Sequence, residues 1–243
     1  MRIAIVTGGS RGLGEALCRC LGDDGYEVIE FSRGAPHAFS STVDLADPYV
    51  ASKAVAERLA PISAESCTDL VVFNNAGTLM PMGPTSRKPL ADAVSNLNVN
   101  LVSAIAVLTE IMRHFRDAQC RKVLVNVSSG AALKGYAGWS LYCASKAGME
   151  GFIRALAVEE EYSEHPFTAI SIDPGVIDTD MQARIRTASV ADFPEVERFK
   201  ARKLAGGLAS AHAVAVAAIR LALSPNLRPG DRHDLLVSGR GHR

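Results

Sequence analysis

Tyr142-Cys143-Ala144-Ser145-Lys146, with Ser129 thirteen positions upstream, are the residues whose types and spacing could do chemistry. If the segment opens a helix, Tyr142 and Lys146 lie four residues apart on one face. An ammonium beside a phenol favours the phenolate. A free tyrosine titrates near pH ~10, so proton exchange near neutrality asks for a lowering of roughly two to three pH units. A lysine one turn away is a source of that stabilisation, and Ser129 could hydrogen-bond a substrate oxygen beside the phenol. Ser128 is also a serine, so choosing Ser129 rests on the spacing to Tyr142. Taken alone, such an i,i+4 pair is commonly structural; the rest of the chain gives it weight.

The elements that must position these residues begin near the amino end. Ile3-Ala4-Ile5-Val6 reads as a buried strand, Thr7-Gly8-Gly9-Ser10-Arg11-Gly12-Leu13-Gly14 as a glycine-rich turn, and Leu13 to Leu21 as a helix. Strand, glycine turn and helix in that order form a dinucleotide-binding arrangement. Gly8 allows the tight turn, Gly12 lets the backbone approach a pyrophosphate, and Gly14 lets the helix pack near the strand. The helix start offers free N–H groups and a positive dipole to phosphate. The second strand, Glu27 to Phe31, ends at Ser32-Arg33, where a carboxylate would take the ribose of NAD. A hydroxyl and two guanidinium groups, Arg33 and Arg11, favour the 2′-phosphate of NADP(H). Glu30 becomes the ribose carboxylate if the register differs by a residue or two.

Val43-Asp44-Leu45 is expected as a third strand, with Asp44 at its exit where an adenine amino group could be met, and a helix runs from about Pro48 to Leu59. Leu70 to Phe73 is a fourth strand running into Asn74-Asn75-Ala76-Gly77, polar groups and bare backbone that suit a crevice. Residues 89–115 are expected as one long helix. Asparagines are poor helix material, so Asn96, Asn98 and Asn100 within it suggest a buried polar task. Lys122 to Val127 is a strand delivering Ser128-Ser129, followed by the helix from about Leu141 to Glu160. Ala169 to Ile172 is a strand ending in Asp173-Pro174-Gly175. Residues 176–208 suit a substrate lid with apolar anchors Met181, Ile185, Phe193 and Phe199. A helix over Ala211 to Leu223 and a strand over Asp234 to Val237 close the chain. The alternation predicts an α/β fold: one doubly wound parallel sheet with helices on both faces, in a single domain.

The chain has 243 residues, 26 Lys+Arg against 26 Asp+Glu and 48% hydrophobic residues. Zero net charge argues against nucleic acid or an anionic membrane as a partner. Cys18, Cys20, Cys67, Cys120 and Cys143 show no zinc-site spacing and the histidines form no HxxxH pair, so no metal is expected; free thiols suit a reducing cytoplasm. No leader is expected ahead of the first strand, and no uninterrupted apolar run is long enough to span a membrane.

TGGSRGLG, NNAG, Asn100, Ser129, YCASK and PGVIDT occur in the order and spacing of the short-chain dehydrogenase/reductase family, which the chain resembles over nearly its whole length. Within it, KGYAGWSLYCASKAGME and DPGVIDTDMQARIR look most like sepiapterin reductases and related bacterial benzil reductases. The resemblance implies a seven-stranded Rossmann fold, NADP(H) and reduction of a carbonyl compound, in a homodimer or homotetramer. By it, Tyr142 is the proton donor, Lys146 holds the nicotinamide ribose and lowers the phenol's pKa, Ser129 polarises the carbonyl, and Asn100 holds a relay water. Gly8, Ser10, Arg11, Gly12, Leu13 and Gly14 match the pyrophosphate loop; Ser32 and Arg33 the 2′-phosphate reader; Asp44 and Leu45 the adenine contact. Asn75, Ala76 and Gly77 match the central coenzyme contact, and Pro174, Gly175, Ile177 and Thr179 the nicotinamide-side loop. Sepiapterin-type enzymes anchor a pterin amine on an acidic residue, for which Asp178 or Asp180 are the candidates. A non-catalytic coenzyme-sensing module, or a dehydratase or epimerase using a similar Tyr-Lys pair, are the rival readings.

Overall fold

Seven strands form one parallel sheet: its five central strands are short apolar runs that can be buried on both faces only between helices, and two short polar strands edge it. The computed structural model describes residues 1–235. The strands are β1 (Arg2–Thr7), β2 (Glu27–Ser32), β3 (Ser40–Thr42), β4 (Asp69–Asn74), β5 (Arg121–Val127), β6 (Thr168–Asp173) and β7 (Arg232–Asp234), in the spatial order 3-2-1-4-5-6-7. The helices are α1 (Gly12–Asp23), α2 (Pro48–Leu59), α3 (Leu90–Leu97), α4 (Ser103–His114), α5 (Ser140–Glu160), α6 (Asp180–Arg186), α7 (Val196–Leu204) and α8 (Ala211–Ala222).

Alternate residues of the strands feed two cores. Ile3, Ile5, Val72 and Leu124 pack with α2, α4 and α5 on one face. Ala4, Val6, Val71, Phe73 and Val125 pack with α1 and α8 on the other. The chain runs outward from β1 through β2 and β3, then returns to build β4 to β7 on the other side. The order therefore reverses between β1 and β4, and the carboxyl ends of those two strands open the crevice where such sheets bind ligands.

Three sequence expectations change. The third strand is Ser40–Thr42 rather than 43–45. Val43 still donates its N–H to the Ser32 carbonyl, but beyond it the edge chain dives inward. Leu45 enters the core and its carbonyl accepts from Ser103 Oγ at 2.7 Å. The long helix is broken: α3 and α4 are joined by a π-helical turn at Asn98–Val102. Such an inserted turn re-aims side chains, and here it buries Asn100 at the crevice. By length and composition alone the stretch Leu90–His114 could cross a bilayer; here it lies against α2 and α5. The last strand is Arg232–Asp234, two residues earlier than expected; Leu236 and Val237 lie outside the described residues.

The loop before α5 depends on one glycine. Gly138 has φ +85°, its carbonyl accepts from Gly83 N–H, and a β-carbon placed on it would sit 2.0 Å from the Asp192 carbonyl oxygen. Gly138→Ala therefore combines left-handed strain with a clash against backbone. It is expected to lower the melting temperature by on the order of 5 °C. Gly135→Ala, where an added β-carbon meets nothing within 4 Å, should leave it nearly unchanged. Equal melting curves for both variants in a thermal scan would refute the account of this loop.

Candidate active site

The glycine turn is held open by residues on three strands. At the end of β1 the Thr7 hydroxyl accepts the N–H groups of Asn75 and Ala76, both at 3.0 Å. Asn75 Nδ2 donates to the carbonyls of Thr7 and Gly8 at 3.0 and 3.1 Å. An added β-carbon on Gly8 would lie 2.9 Å from Ala76 Cα, and one on Gly14 2.1 Å from the Gly8 carbonyl oxygen. These glycines bring the loop, the start of α1 and the end of β4 to within backbone contact. No side chain caps α1 at Arg11, so its first N–H groups remain available to a ligand. This cradle fits a pyrophosphate.

Glu30 is not placed as a ribose ligand. It is fully buried and accepts from Gly9 N–H at 2.8 Å and from the Ser32 hydroxyl at 3.2 Å. It braces the turn from beneath. Ser32 Oγ also accepts from Ala35 N–H at 3.1 Å, so that hydroxyl is already committed at both donor and acceptor. Arg33 and Arg11 remain exposed, Arg11 sharing a 3.5 Å pair with exposed Asp180. Ser10 lies against Gly34, which joins the turn to the loop after β2. Asp44 is exposed, its carboxylate accepting from Ala46 N–H. Thr7 carried no sequence signal beyond its position at a strand end, and the signal at Glu30 pointed to a ribose; their roles come from what lies opposite them.

The second half of the site forms where β5, α5 and the π turn meet. Successive residues leave β5 in opposite directions. Ser128 Oγ accepts from Arg232 Nη1 at 3.2 Å, away from the phenol. Ser129 lies beside Tyr142, its extended backbone (φ −165°, ψ 157°) leading into a short turn in which its Oγ accepts from Ala131 N–H. Tyr142 and Lys146 are both buried on α5. Lys146 Nζ donates to the Val127 carbonyl at 2.7 Å and sits 5.6 Å from the Tyr142 ring centre. Gly77 lies between Lys146 and Asn100: an added β-carbon there would be 3.2 Å from Asn100 Oδ1 and 3.9 Å from Lys146 Nζ.

One expectation about these groups needs correction. Burial pushes the Tyr142 phenol up to about 12, with the Ser129 hydroxyl acting in the opposite direction and the Asp173 carboxylate adding to the rise. The neighbouring lysine does not overcome burial in the protein alone, because its ammonium is turned to a main-chain carbonyl. Burial also lowers Lys146 to about 8, against the pull of Glu150 and Asp173. Asn100, expected to hold a water, spends its side chain on protein: it accepts from Thr78 N–H at 2.7 Å and donates to the Thr78 carbonyl at 2.8 Å and to Asn96 Oδ1 at 3.1 Å. It fixes the strand-exit loop that carries Gly77.

Residues 176–208, expected as a lid, pack in one cluster with Tyr142 through Ile185, Phe193 and Val196. The base of this segment is pinned by Ile177 bridging Ala209, with the Asp178 N–H on the Ala209 carbonyl and the Ala209 N–H on the Val176 carbonyl. Pro174 and Gly175 form the turn into it, Gly175 donating to Asp173 Oδ1 at 3.0 Å. Thr179, at the start of α6, packs its methyl against Gly12. The tip is clipped by Arg87, which donates to Asp192 at 2.9 Å and to the Ala191 carbonyl at 3.2 Å. Trp139 stacks on Phe193 with ring centres 4.6 Å apart and meets Phe199 and Tyr142 edge-on. Phe193 and Phe199, expected as apolar anchors, are in this cluster with Met181 and Ile185. Asp178 pairs with Lys203 and Asp180 with Arg11, so both candidate pterin anchors are engaged on the surface.

A nicotinamide-type cradle, a buried Ser-Tyr-Lys group and a parallel sheet in this strand order belong together in one family. The chain matches the short chain dehydrogenase family over residues 2–189 and is a member of it, an oxidoreductase. Among its relatives are proteins described as "Benzil reductase ((S)-benzoin forming)". That of Bacillus cereus is 33% identical over 229 residues, covering 89% of this chain and 92% of the relative. That of Bacillus subtilis (strain 168) is 34% identical over 215 residues, covering 86% and 88%. The crystal structure of the KRED1-Pglu enzyme superposes with a TM-score of 0.82 at 27% identity, covering 96% of this chain and 100% of that one. Two solved structures of similar fold are complexes, one with NADP and one with NAD.

Proposed function

We propose that the protein is an NADP(H)-dependent carbonyl reductase whose proton donor is Tyr142. One observation carries this reading: Ser129 lies beside Tyr142 under an aromatic cluster, and Lys146, one helical turn on, faces Gly77 at the crevice of the glycine turn. The similarity to benzil reductases supports an aromatic ketone or diketone as substrate. So do Met181 and Phe199 of the lid, partly buried apolar side chains packed on the Trp139–Tyr142 cluster.

Gly8, Ser10, Arg11, Gly12, Leu13 and Gly14 would hold the pyrophosphate, Asn75, Ala76 and Gly77 the centre of the coenzyme, and Pro174, Gly175, Ile177 and Thr179 its nicotinamide side. Arg33 and Arg11 favour the 2′-phosphate, since the one carboxylate near the end of β2, Glu30, is buried beneath the turn and would not repel it. The reduced nicotinamide supplies the hydride. As charge grows on the substrate oxygen, Ser129 donates a hydrogen bond to it and Tyr142 Oη delivers a proton. A phenol held near 12 is fully protonated at neutral pH, the state a donor needs. Lys146, titrating near 8, keeps its charge on the acid side of that value. Reduction is therefore expected to fall as pH rises through about 8.

The reading is tested by following 340 nm absorbance with NADPH or NADH against benzil, aliphatic diketones and aryl aldehydes. Turnover of an aryl dicarbonyl, faster with NADPH than with NADH, is expected. Absence of turnover across the panel with both coenzymes would dismiss it.

A further inference from the structure

Behind Lys146, one turn further along α5, lies Glu150, so Tyr142, Lys146 and Glu150 form a single stripe at four-residue spacing. Glu150 is only 4% exposed. Its Oε1 accepts from Arg232 Nη1 at 2.6 Å, and its Oε2 lies 3.9 Å from Arg154. The same guanidinium donates through Nη2 to Asp173 Oδ2 at 2.8 Å and through Nη1 to Ser128, with Asp234 at 3.4 Å on its outer side. Asp173 also holds the Gly175 N–H with its other oxygen. One arginine from β7 thus ties α5, the exit of β5, the end of β6 and the nicotinamide-side turn together.

A cluster of this kind is costly to bury, and well-packed apolar residues in its place would often be as stable or more so. What apolar residues could not do is set the field at Lys146. The charged and titratable groups facing that ammonium are Tyr142 and Glu150 on α5 and Asp173 on β6; Arg232 on β7 binds both carboxylates, with Arg154 and Asp234 as their outer partners. Glu150 and Asp173 together bring two negative charges, and Arg232 cancels one.

We propose that Arg232, Glu150 and Asp173 are positioning residues: the guanidinium clamps the two carboxylates behind Lys146 and so sets the charge state in which Lys146 serves the reaction. The role in turnover rests on the carbonyl-reductase reading; the effect on Lys146 does not, and is measurable in the free protein.

The test observes the 13Cε resonance of Lys146 in protein carrying labelled lysine, assigned by its loss in Lys146→Met, as pH is raised. The unmodified protein is expected to titrate near 8. Glu150→Gln removes an anion facing the ammonium and should lower that midpoint by about half a pH unit or more. Arg232→Met removes a cation and releases two carboxylates, so it should raise the midpoint by a similar amount. Arg232→Lys keeps the charge and should return it most of the way. The alkaline limb of kcat/KM is expected to move in the same two directions. A merely structural cluster would change stability without moving the midpoint in opposite senses. Unchanged midpoints in Glu150→Gln and Arg232→Lys, with Arg232→Met either unchanged or unfolded, overturn the proposal. Opposite shifts in a protein that turns over no carbonyl compound would uphold the network and dismiss the reductase reading.

Discussion

Tyr142→Phe is expected to reduce turnover by about 10²- to 10⁴-fold while coenzyme affinity stays within about twofold of the unmodified protein. The ring would be kept in place, since its edge contact with Trp139, at 6.1 Å between centres, and its packing among Leu79, Ala131 and Ile185 do not involve the hydroxyl. The variant removes one proton donor beside Ser129 and little else, so its fold should be intact. Single-turnover kinetics with saturating NADPH would separate the chemical step from binding. A residual rate within tenfold of the unmodified enzyme would mean that the proton comes from elsewhere. The choice between Ser128 and Ser129 can be read in the same assay. Ser129→Ala should cost on the order of 10²-fold by removing a donor to the developing oxyanion. Ser128→Ala should cost far less, because that hydroxyl faces Arg232.

Gly14→Ala is expected to weaken coenzyme binding by on the order of 100-fold, and to destabilise the protein by several kcal/mol, because the nearest obstacle is the Gly8 main chain and backbone must move. An ideal β-carbon there lies 2.1 Å from the Gly8 carbonyl oxygen and 2.6 Å from Asn75 Nδ2. Either α1 withdraws from the turn, and its free N–H groups no longer converge on a phosphate, or the turn shifts and breaks the Asn75 bridge to Thr7 and Gly8. Both routes damage the same cradle. Gly22, in the last turn of the same helix, is the control: its added β-carbon would meet nothing nearer than 4.0 Å. Gly22→Ala should be neutral or stabilise by up to about 1 kcal/mol, since alanine loses less entropy in a helix. Titration of NADPH fluorescence and a denaturant curve for both variants decide the matter. Normal affinity in Gly14→Ala would show that the turn does not bind the coenzyme.

Much of the architecture follows from local rules. The boundaries of α2 are legible because Asp47 caps its start, accepting from Tyr49 and Val50 N–H, and Pro48 has the fixed φ that a first helical residue needs. The strands β1, β4 and β5 are legible because continuous apolar runs bounded by polar turn residues can be buried on both faces only in a parallel sheet. The glycine turn is legible because the residues at which a side chain cannot fit are themselves visible in the sequence.

Other features depend on partners far away in the chain. The π turn at Asn98–Val102 is invisible to helical periodicity, because its reason is the set of bonds from Asn100 to Thr78, twenty-two residues distant. Glu30 looks like a ribose ligand in one dimension; only the buried Gly9 N–H above it shows where its carboxylate is spent. The phenol and the lysine are neighbours by spacing alone, but the balance between burial and charge that moves their titration requires Val127, Glu150, Asp173 and Arg232 to be in place. The order of residues was sufficient for the sheet, the turn and the family, since these arise from short-range sterics and from the need to bury apolar strands. Which serine faces the phenol, which carboxylates face the lysine and how the lid is clasped were decided by the tertiary structure, because each is a matter of direction and distance between groups that only folding brings together.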